Sequence, residues 1–445
     1  MIRFQSDYYA DIRYEDRFAT TVRVLNGMLQ ESKVRTESRA FIRVFDGAMW
    51  YYASTTDLDA VQATLDDLYA VATPNPDIKS HPVVAKFECN RDKLSTFADV
   101  SVRNIPLADK RDFLCSHLPL LAADSCMVMP SAMYLDRNSL FRFESSLGAE
   151  IEYDYQVCGM TLGCDMVEGD KKFSAHWQKG ATRFDELQNL QEEIASELAE
   201  QAEFMRKSIP VTAGEYPVVL SPQAAGVFAH ESFGHKSESD FMLSDPSMRE
   251  EWAIGKTVGS SILTIAECGE HLGSGYVPYD DEGTKARKNY LIKDGKLAGR
   301  LHSVMTAALL DEEVTGNARA INCTFEPIVR MTNTYIEGGD CTFDELIAPI
   351  QKGYYIKSIN HGSGMSTFTI APSVAYEIVD GKLGAPVQIS VITGNVFETL
   401  GLIDGLSKDV EMLSFVTGGC GKMEQHPLPV GFGGPCVRVS CMKVQ

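Results

Sequence analysis

Apolar positions along the first 210 residues change period several times. From Arg39 to Ser54 they alternate around Asp46-Gly47, which predicts a β-hairpin with the Asp-Gly pair at its turn. Thr56 then opens a stretch where Leu58, Val61, Leu65 and Leu68 recur at helical spacing, and Pro74 ends it. Alternation returns from Glu150 to Val157, with Ile151, Tyr153, Tyr155 and Val157 on one face and Glu150, Glu152, Asp154 and Gln156 on the other. That predicts a strand buried on one side only. A second strand is expected around Phe173, Ala175 and Trp177. A long amphipathic helix follows from about Arg183 to Arg206, with Phe184, Leu187, Leu190, Ile194, Leu198 and Met205 as its stripe. Pro210 closes this region.

Beyond Pro210 the pattern is richer in strands. Asp294-Gly295 and Asp380-Gly381 repeat the hairpin signal, and Thr342-Phe343-Asp344-Glu345 reads as a capping box. The expected fold class is α+β. An N-terminal α/β domain with an antiparallel sheet and long helices spans residues 1–208, and a β-rich C-terminal domain carrying a metal-site helix spans 209–445.

One helix start in the second half matters most. Pro217-Val218-Val219-Leu220 reads as a short strand, and Ser221-Pro222 supplies an N-cap followed by proline at the first helical position. The helix is expected to run through Ala224, Val227 and Phe228 into His230-Glu231-Ser232-Phe233-Gly234-His235. Two imidazoles and a carboxylate are the groups a catalytic zinc site uses, as ligands and as proton acceptor. The spacing is HExxxH rather than HExxH. In a straight α-helix residues four apart lie about 40° apart around the axis, but residues five apart lie about 140° apart. The helix must therefore stop or distort between Ser232 and His235, by a widened turn or by ending before His235, and Gly234 favours the ending because glycine is the usual left-handed residue past a helix end. The alternative is a helix end where His235 caps carbonyls and His230 packs.

A third ligand is needed, and Glu238, Asp240, His271 and the cysteines are candidates. Cys420 stands out because Gly418-Gly419-Cys420-Gly421 lets the backbone approach closely, although a buried inert thiol is the common fate of a cysteine. Arg330, Thr332 and Asn333 offer a guanidinium, a hydroxyl and an amide to a peptide backbone, or form a polar strand end in the core. His361 is a further candidate for substrate binding, or a turn residue beside Gly362. Asp280-Asp281-Glu282 reads as a solvated acidic turn rather than a second metal site.

These blocks together resemble the TldD/PmbA family, specifically its metal-bearing TldD-type subunit. The resemblance rests on Pro217–Leu220 leading into His230–His235, on Asp280-Asp281-Glu282-Gly283-Thr284, on Arg330-Met331-Thr332-Asn333-Thr334-Tyr335, and on Gly419-Cys420-Gly421-Lys422 with Leu428-Pro429-Val430-Gly431. It implies one zinc per chain held at His230, His235 and Cys420, with Glu231 as general base. It also implies cleavage of peptide or unfolded-protein substrates within a dimer, either with a metal-free TldE/PmbA-type relative or as a homodimer. Departures occur in the short stretch Asn360-His361-Gly362-Ser363-Gly364 and in Lys236-Ser237-Glu238 after His235. The rival reading is a non-catalytic interaction protein, in line with the family's description as a modulator of DNA gyrase, with structural zinc or none.

Charge and composition narrow the partners. Among 445 residues, 41 Lys and Arg face 61 Asp and Glu, a formal charge of −20 that repels nucleic-acid phosphates. The first residues lack the apolar core of a signal peptide, and no apolar run reaches the roughly 18 residues of a membrane helix. The eleven scattered cysteines suit reduced thiols, so a cytoplasmic location is expected. A zinc oxidoreductase would need a nucleotide-binding GxGxxG between strand and helix, and none is found.

Overall fold

The computed structural model describes residues 2–445. Its first half is one seven-stranded sheet. Strands β1 (Tyr9–Leu25) and β2 (Met28–Phe45) form a long hairpin joined at Asn26-Gly27, both with positive φ, as a tight primed turn requires. The hairpin expected at Asp46-Gly47 is present, with Phe45 opposite Trp50 of β3 (Trp50–Thr55). The helix after it is α1 (Val61–Val71), preceded by a 3₁₀ turn.

Next come β4 (Arg91–Leu94), α2 (Leu107–Cys115), β5 (Met127–Ser145), β6 (Glu150–Glu168) and β7 (Lys171–Ala181). The spatial order is β3-β2-β1-β5-β6-β4, and the far end of β6 pairs with β7. Of the polar face expected along β6, Glu150 and Glu152 meet solvent, but Asp154 and Gln156 are buried because residues 96–102 fold over them. Asp154 accepts the amides of Thr96 (2.7 Å) and Phe97 (2.8 Å), and Gln156 accepts that of Val102 (2.9 Å). Buried polar groups survive where they are paired in this way.

The helix expected from Arg183 starts later. Phe184–Leu187 forms a 3₁₀ turn, Asn189 takes a left-handed conformation, and only then does α3 (Gln191–Lys207) begin. Its buried residues Ile194, Leu198, Ala202 and Met205 join a core with Leu162, Met166 and Trp177 of the sheet.

The second half starts with β8 (Ile209–Pro210) and β9 (Gly214–Leu220). Strand β9 joins a closed ring with Lys352–Gly364, Thr367–Val379, Ile392–Asn395 and Val437–Val444, a small barrel. A six-stranded sheet lies against it and includes Ile265–Cys268, Asn333–Ile336, Gly431–Gly434 and Glu411–Ser414. The Asp-Gly pairs at 294–295 and 380–381 make their turns with positive φ at both residues. The capping box is formed by Thr342 and Glu345. Helix α4 (Pro222–Ala229) is sandwiched between barrel and sheet, and it passes Gly433 so closely that a Cβ on Gly226 would lie 2.7 Å from the Gly433 nitrogen.

Asp280-Asp281-Glu282 corrects the expectation of a solvated turn, because it lies where the two halves meet. Asp281 pairs with Arg13 of β1 at 3.0 Å. Glu282 pairs with Arg43 of β2 at 3.1 Å, and Arg43 also grips Asp11 at 2.6 Å. Asp280 accepts the amides of Glu282, Thr284 and Ala318. Both Arg43 and Glu282 are 4% exposed, so Arg43→Leu would leave two carboxylates buried without their cation. A loss of about 3–5 kcal/mol is expected. Urea unfolding checks it, and an unchanged midpoint would remove this network from the account of the junction.

Candidate metal centre

Ser221 caps α4 as expected, its side chain accepting the Ala224 amide with Pro222 behind it. Regular α-helix stops at Ala229. The backbone then widens into a π turn over His230–Gly234, closed by the His235 amide on the His230 carbonyl, and a 3₁₀ turn covers His235–Ser237. Distortion thus begins at His230, earlier than the spacing predicted, and it takes the widened form. Gly234 keeps a right-handed φ of −55°, so it is not a left-handed helix stop. Its reason is contact: a Cβ there would sit 2.0 Å from Met331 Sδ. An i→i+5 turn stacks residues five apart. The two imidazole centroids accordingly lie 5.2 Å apart at 79°.

Cys420 reaches these rings from a distant hairpin. Cys420–Lys422 pairs with Gln425–Leu428, and a Cβ on Gly419 (φ +150°) would lie 2.6 Å from the Leu428 carbonyl oxygen. The Cys420 Sγ is 3.4 Å from His235 Nε2. One ligand atom from each of His230, His235 and Cys420 falls within 4.8 Å of the other two.

Electrostatics at this point suit a cation. Burial opposes the thiolate, yet the His230 and His235 imidazoles hold the Cys420 thiol down at about 4. Burial also opposes charge on His235, but Cys420 and Glu238 push it up to about 10, and Cys420 raises His230 in the same way. Thiolate is the metal-binding form of cysteine, and a metal entering here displaces imidazolium protons. His235 Nδ1 lies 3.2 Å from the fully buried Glu238 carboxylate, which leaves Nε2 facing the sulfur. A carboxylate on the far nitrogen is how metal-binding histidines are oriented. Lys422 in turn sits 3.2 Å from Glu238 and 2.7 Å from Asp240. His230 Nδ1 is buried with no hydrogen-bond partner among the described residues. Donor types, convergence and the oriented His235 all fit a zinc ion.

Glu231 lies on the same π turn, partly exposed and outside the group of converging ligand atoms. Gly362 and Gly364 pass beside it: a Cβ on Gly362 would approach its Cγ to 3.5 Å, and one on Gly364 its carbonyl oxygen to 3.1 Å. Residues 360–364 belong to the strand Lys352–Gly364 rather than to a turn. His361 stands exposed on it opposite Ala371.

Arg330, Thr332 and Asn333 are all buried. Arg330 donates to the carbonyls of Cys420 (2.8 Å) and Gln425 (3.1 Å), which steadies the cysteine hairpin. The Thr332 hydroxyl donates to Glu267 at 2.6 Å, and the Asn333 amide donates to the carbonyls of Cys268 and Gly275. Among the other ligand candidates, Asp240 is bound by Lys422 and His271 packs on Tyr335. No local pattern marks Glu267, and Lys422, part of the Gly419–Lys422 block, carries no sequence signal of its ion pairs with Glu238 and Asp240. All eleven cysteines are free thiols, and no described helix is long and apolar enough to cross a membrane.

Two imidazoles and a thiolate converging on a mixed α+β scaffold make a candidate transition-metal site. The chain belongs to the PmbA/TldD metallopeptidase family. Residues 213–445 match the PmbA/TldA metallopeptidase C-terminal domain, and residues 10–72 match domain 1. A metalloprotease of Synechocystis is 32% identical, over 98% of this chain and 95% of that protein. One from Methanothermobacter thermautotrophicus is 31% identical over 97% and 94%. A zinc metalloprotease TldD homolog of Saccharolobus solfataricus is 35% identical over 58% of this chain and 56% of its own. Among solved structures, TldE from Thermococcus kodakarensis superposes with a TM-score of 0.79 at 16% identity, covering 98% and 96% of the two chains; at that identity it shows the fold alone.

Proposed function

We propose that this metallopeptidase holds one zinc per chain on His230, His235 and Cys420 and cleaves peptide or unfolded-protein substrates with Glu231 as general base. The observation carrying this reading is the convergence of the three ligand atoms within 4.8 Å, with His235 Nδ1 already engaged by Glu238. Zinc bound there supplies a Lewis acid that lowers the pKa of water towards ~7 and polarises a carbonyl. Glu231 takes the proton from the attacking water on its carboxylate and hands it to the departing amine nitrogen. Gly362 and Gly364 let the strand Lys352–Gly364 pack directly against Val227 and the Glu231 turn, which holds that turn in place. Arg330, Thr332 and Asn333 support the reaction from behind, by holding the hairpin and the strand that frame the centre.

Zinc analysis together with a peptide-digestion assay tests the whole reading. Stoichiometric zinc with cleavage is expected, and a zinc-loaded protein that cleaves no peptide, alone or with a co-purifying partner, would favour the interaction-protein alternative. The partner is a second copy of the chain or a TldE/PmbA-type relative, and size-exclusion chromatography of each combination distinguishes them. Direct nucleic-acid binding is not part of this reading, given the charge of −20. Glu238→Gln should weaken zinc binding by roughly 10–100-fold, because it removes the anion that orients His235. Competition with a chelator measures it, and unaltered affinity would show that Glu238 merely fills space.

A further inference from the structure

Away from the metal, a cavity of about 60 Å³ lies where the N-terminal sheet meets the second half of the chain. One water needs roughly 10–15 Å³ on the same measure, so the space admits a small ion and not a side-chain-bearing peptide. Three guanidinium groups line it: Arg13 from β1, Arg137 from β5, and Arg319 from the second half. Only two carboxylates line it with them, Glu15 and Asp281. Each is already taken, Asp281 by Arg13 at 3.0 Å and Glu15 by Arg137.

Arg319 has no carboxylate partner among the described residues. It donates to the backbone carbonyls of Met331 and Pro429, and it is 6% exposed. Arg13 is 4% exposed, and its Nε–H is buried with no acceptor. The other titratable groups in the wall add no negative charge. Burial pushes the Cys323 thiol up to about 12 and raises the tyrosines Tyr153 and Tyr155. The lining thus carries three positive charges against two negative ones, in a place where an uncompensated charge is expensive.

We propose that this cavity binds a small oxyanion of carboxylate or phosphate size, held between the three guanidinium groups at the junction of the two halves. A planar or tetrahedral oxyanion accepts the fork of N–H groups that arginine presents, and it supplies the missing negative charge. The site also touches the back of the metal centre. Arg319 holds the carbonyl of Met331, whose sulfur packs on Gly234 between the two histidines, and the cavity-lining Leu428 is paired with Cys420. Filling the site therefore ties the β1–β5 face to the two segments that frame the metal centre.

Thermal unfolding of the zinc-loaded protein in phosphate, sulfate or acetate, against chloride at equal ionic strength, tests the proposal. A saturable rise in Tm above the chloride control is expected, and the anion that binds tightest shows whether the site prefers a tetrahedral or a planar group. Arg319→Gln should weaken the apparent affinity roughly tenfold or more, through loss of a charge-assisted fork. No rise beyond chloride, or an equal response in Arg319→Gln, would overturn the proposal. Should that variant fail to fold, crystals of the unaltered protein soaked in selenate give a second reading. An anomalous peak between Arg13, Arg137 and Arg319 supports the site; peaks confined to the metal centre or to surface lysines, an adventitious ion only, refute it.

Discussion

Exchanging Glu231 for Gln should cut peptide turnover by roughly 10²–10⁴-fold, the usual contribution of a positioned general base, while zinc content stays at the wild-type level. The separation of these two readouts follows from geometry. Glu231 sits on the π turn between the two histidines in sequence, yet it is not among the ligand atoms that converge. Gln keeps the length and polarity of the side chain and removes only its ability to accept a full proton. The Gly362–Gly364 strand beside it need not move, since the approach at Gly362 is to the aliphatic Cγ. Single-turnover cleavage with metal analysis on the same sample decides the point. Undiminished turnover would take the base role away from Glu231, and parallel loss of zinc would make it a ligand or a support of the ligands.

The second large effect is expected at Cys420. Cys420→Ser replaces a thiolate, stabilised by two imidazoles, with a hydroxyl that stays protonated near neutrality. Zinc affinity should fall by more than the roughly 10–100-fold that losing an orienting group costs, and turnover should vanish with it. The substitution is nearly isosteric, and the Cys420 carbonyl that Arg330 holds is backbone, so the hairpin remains anchored. A metal titration followed by chelator competition reads the affinity. Serine at 420 with full zinc and full turnover would eliminate the cysteine as a ligand and reopen the choice of the third donor.

Much of the local architecture was legible before any coordinates. The N-cap at Ser221, the capping box at Thr342 and the Asp-Gly turns depend on a few neighbouring residues whose preferred dihedrals and side-chain hydrogen bonds act within one turn. Asn26-Gly27 is an equally strong local signal, and it makes the turn between β1 and β2. Elsewhere longer-range packing overrides the local pattern. Asp154 and Gln156 alternate like a wet strand face, but a loop from residues 96–102 covers them and donates its amides to their side-chain oxygens. Asp280-Asp281-Glu282 has the composition of a surface turn, but arginines from β1 and β2 pair with Asp281 and Glu282, and backbone amides satisfy Asp280.

At the centre itself the division is similar. The sequence determined the two imidazoles and Glu231 on one segment, a helix start nine residues before the first histidine, and the requirement that the helix deform, because five-residue spacing and a straight α-helix are incompatible. Tertiary structure alone decided how it deforms, since the contact of Gly234 with Met331 is made across the core. It decided that Cys420, 185 residues away from His235, arrives within 3.4 Å of its free nitrogen, and that Glu238 and Lys422 set the orientation of that ring. Turn dihedrals and periodicity act over a handful of residues. The convergence of charged and metal-binding groups depends instead on which distant segments pack together, and that is settled only when the whole core is buried.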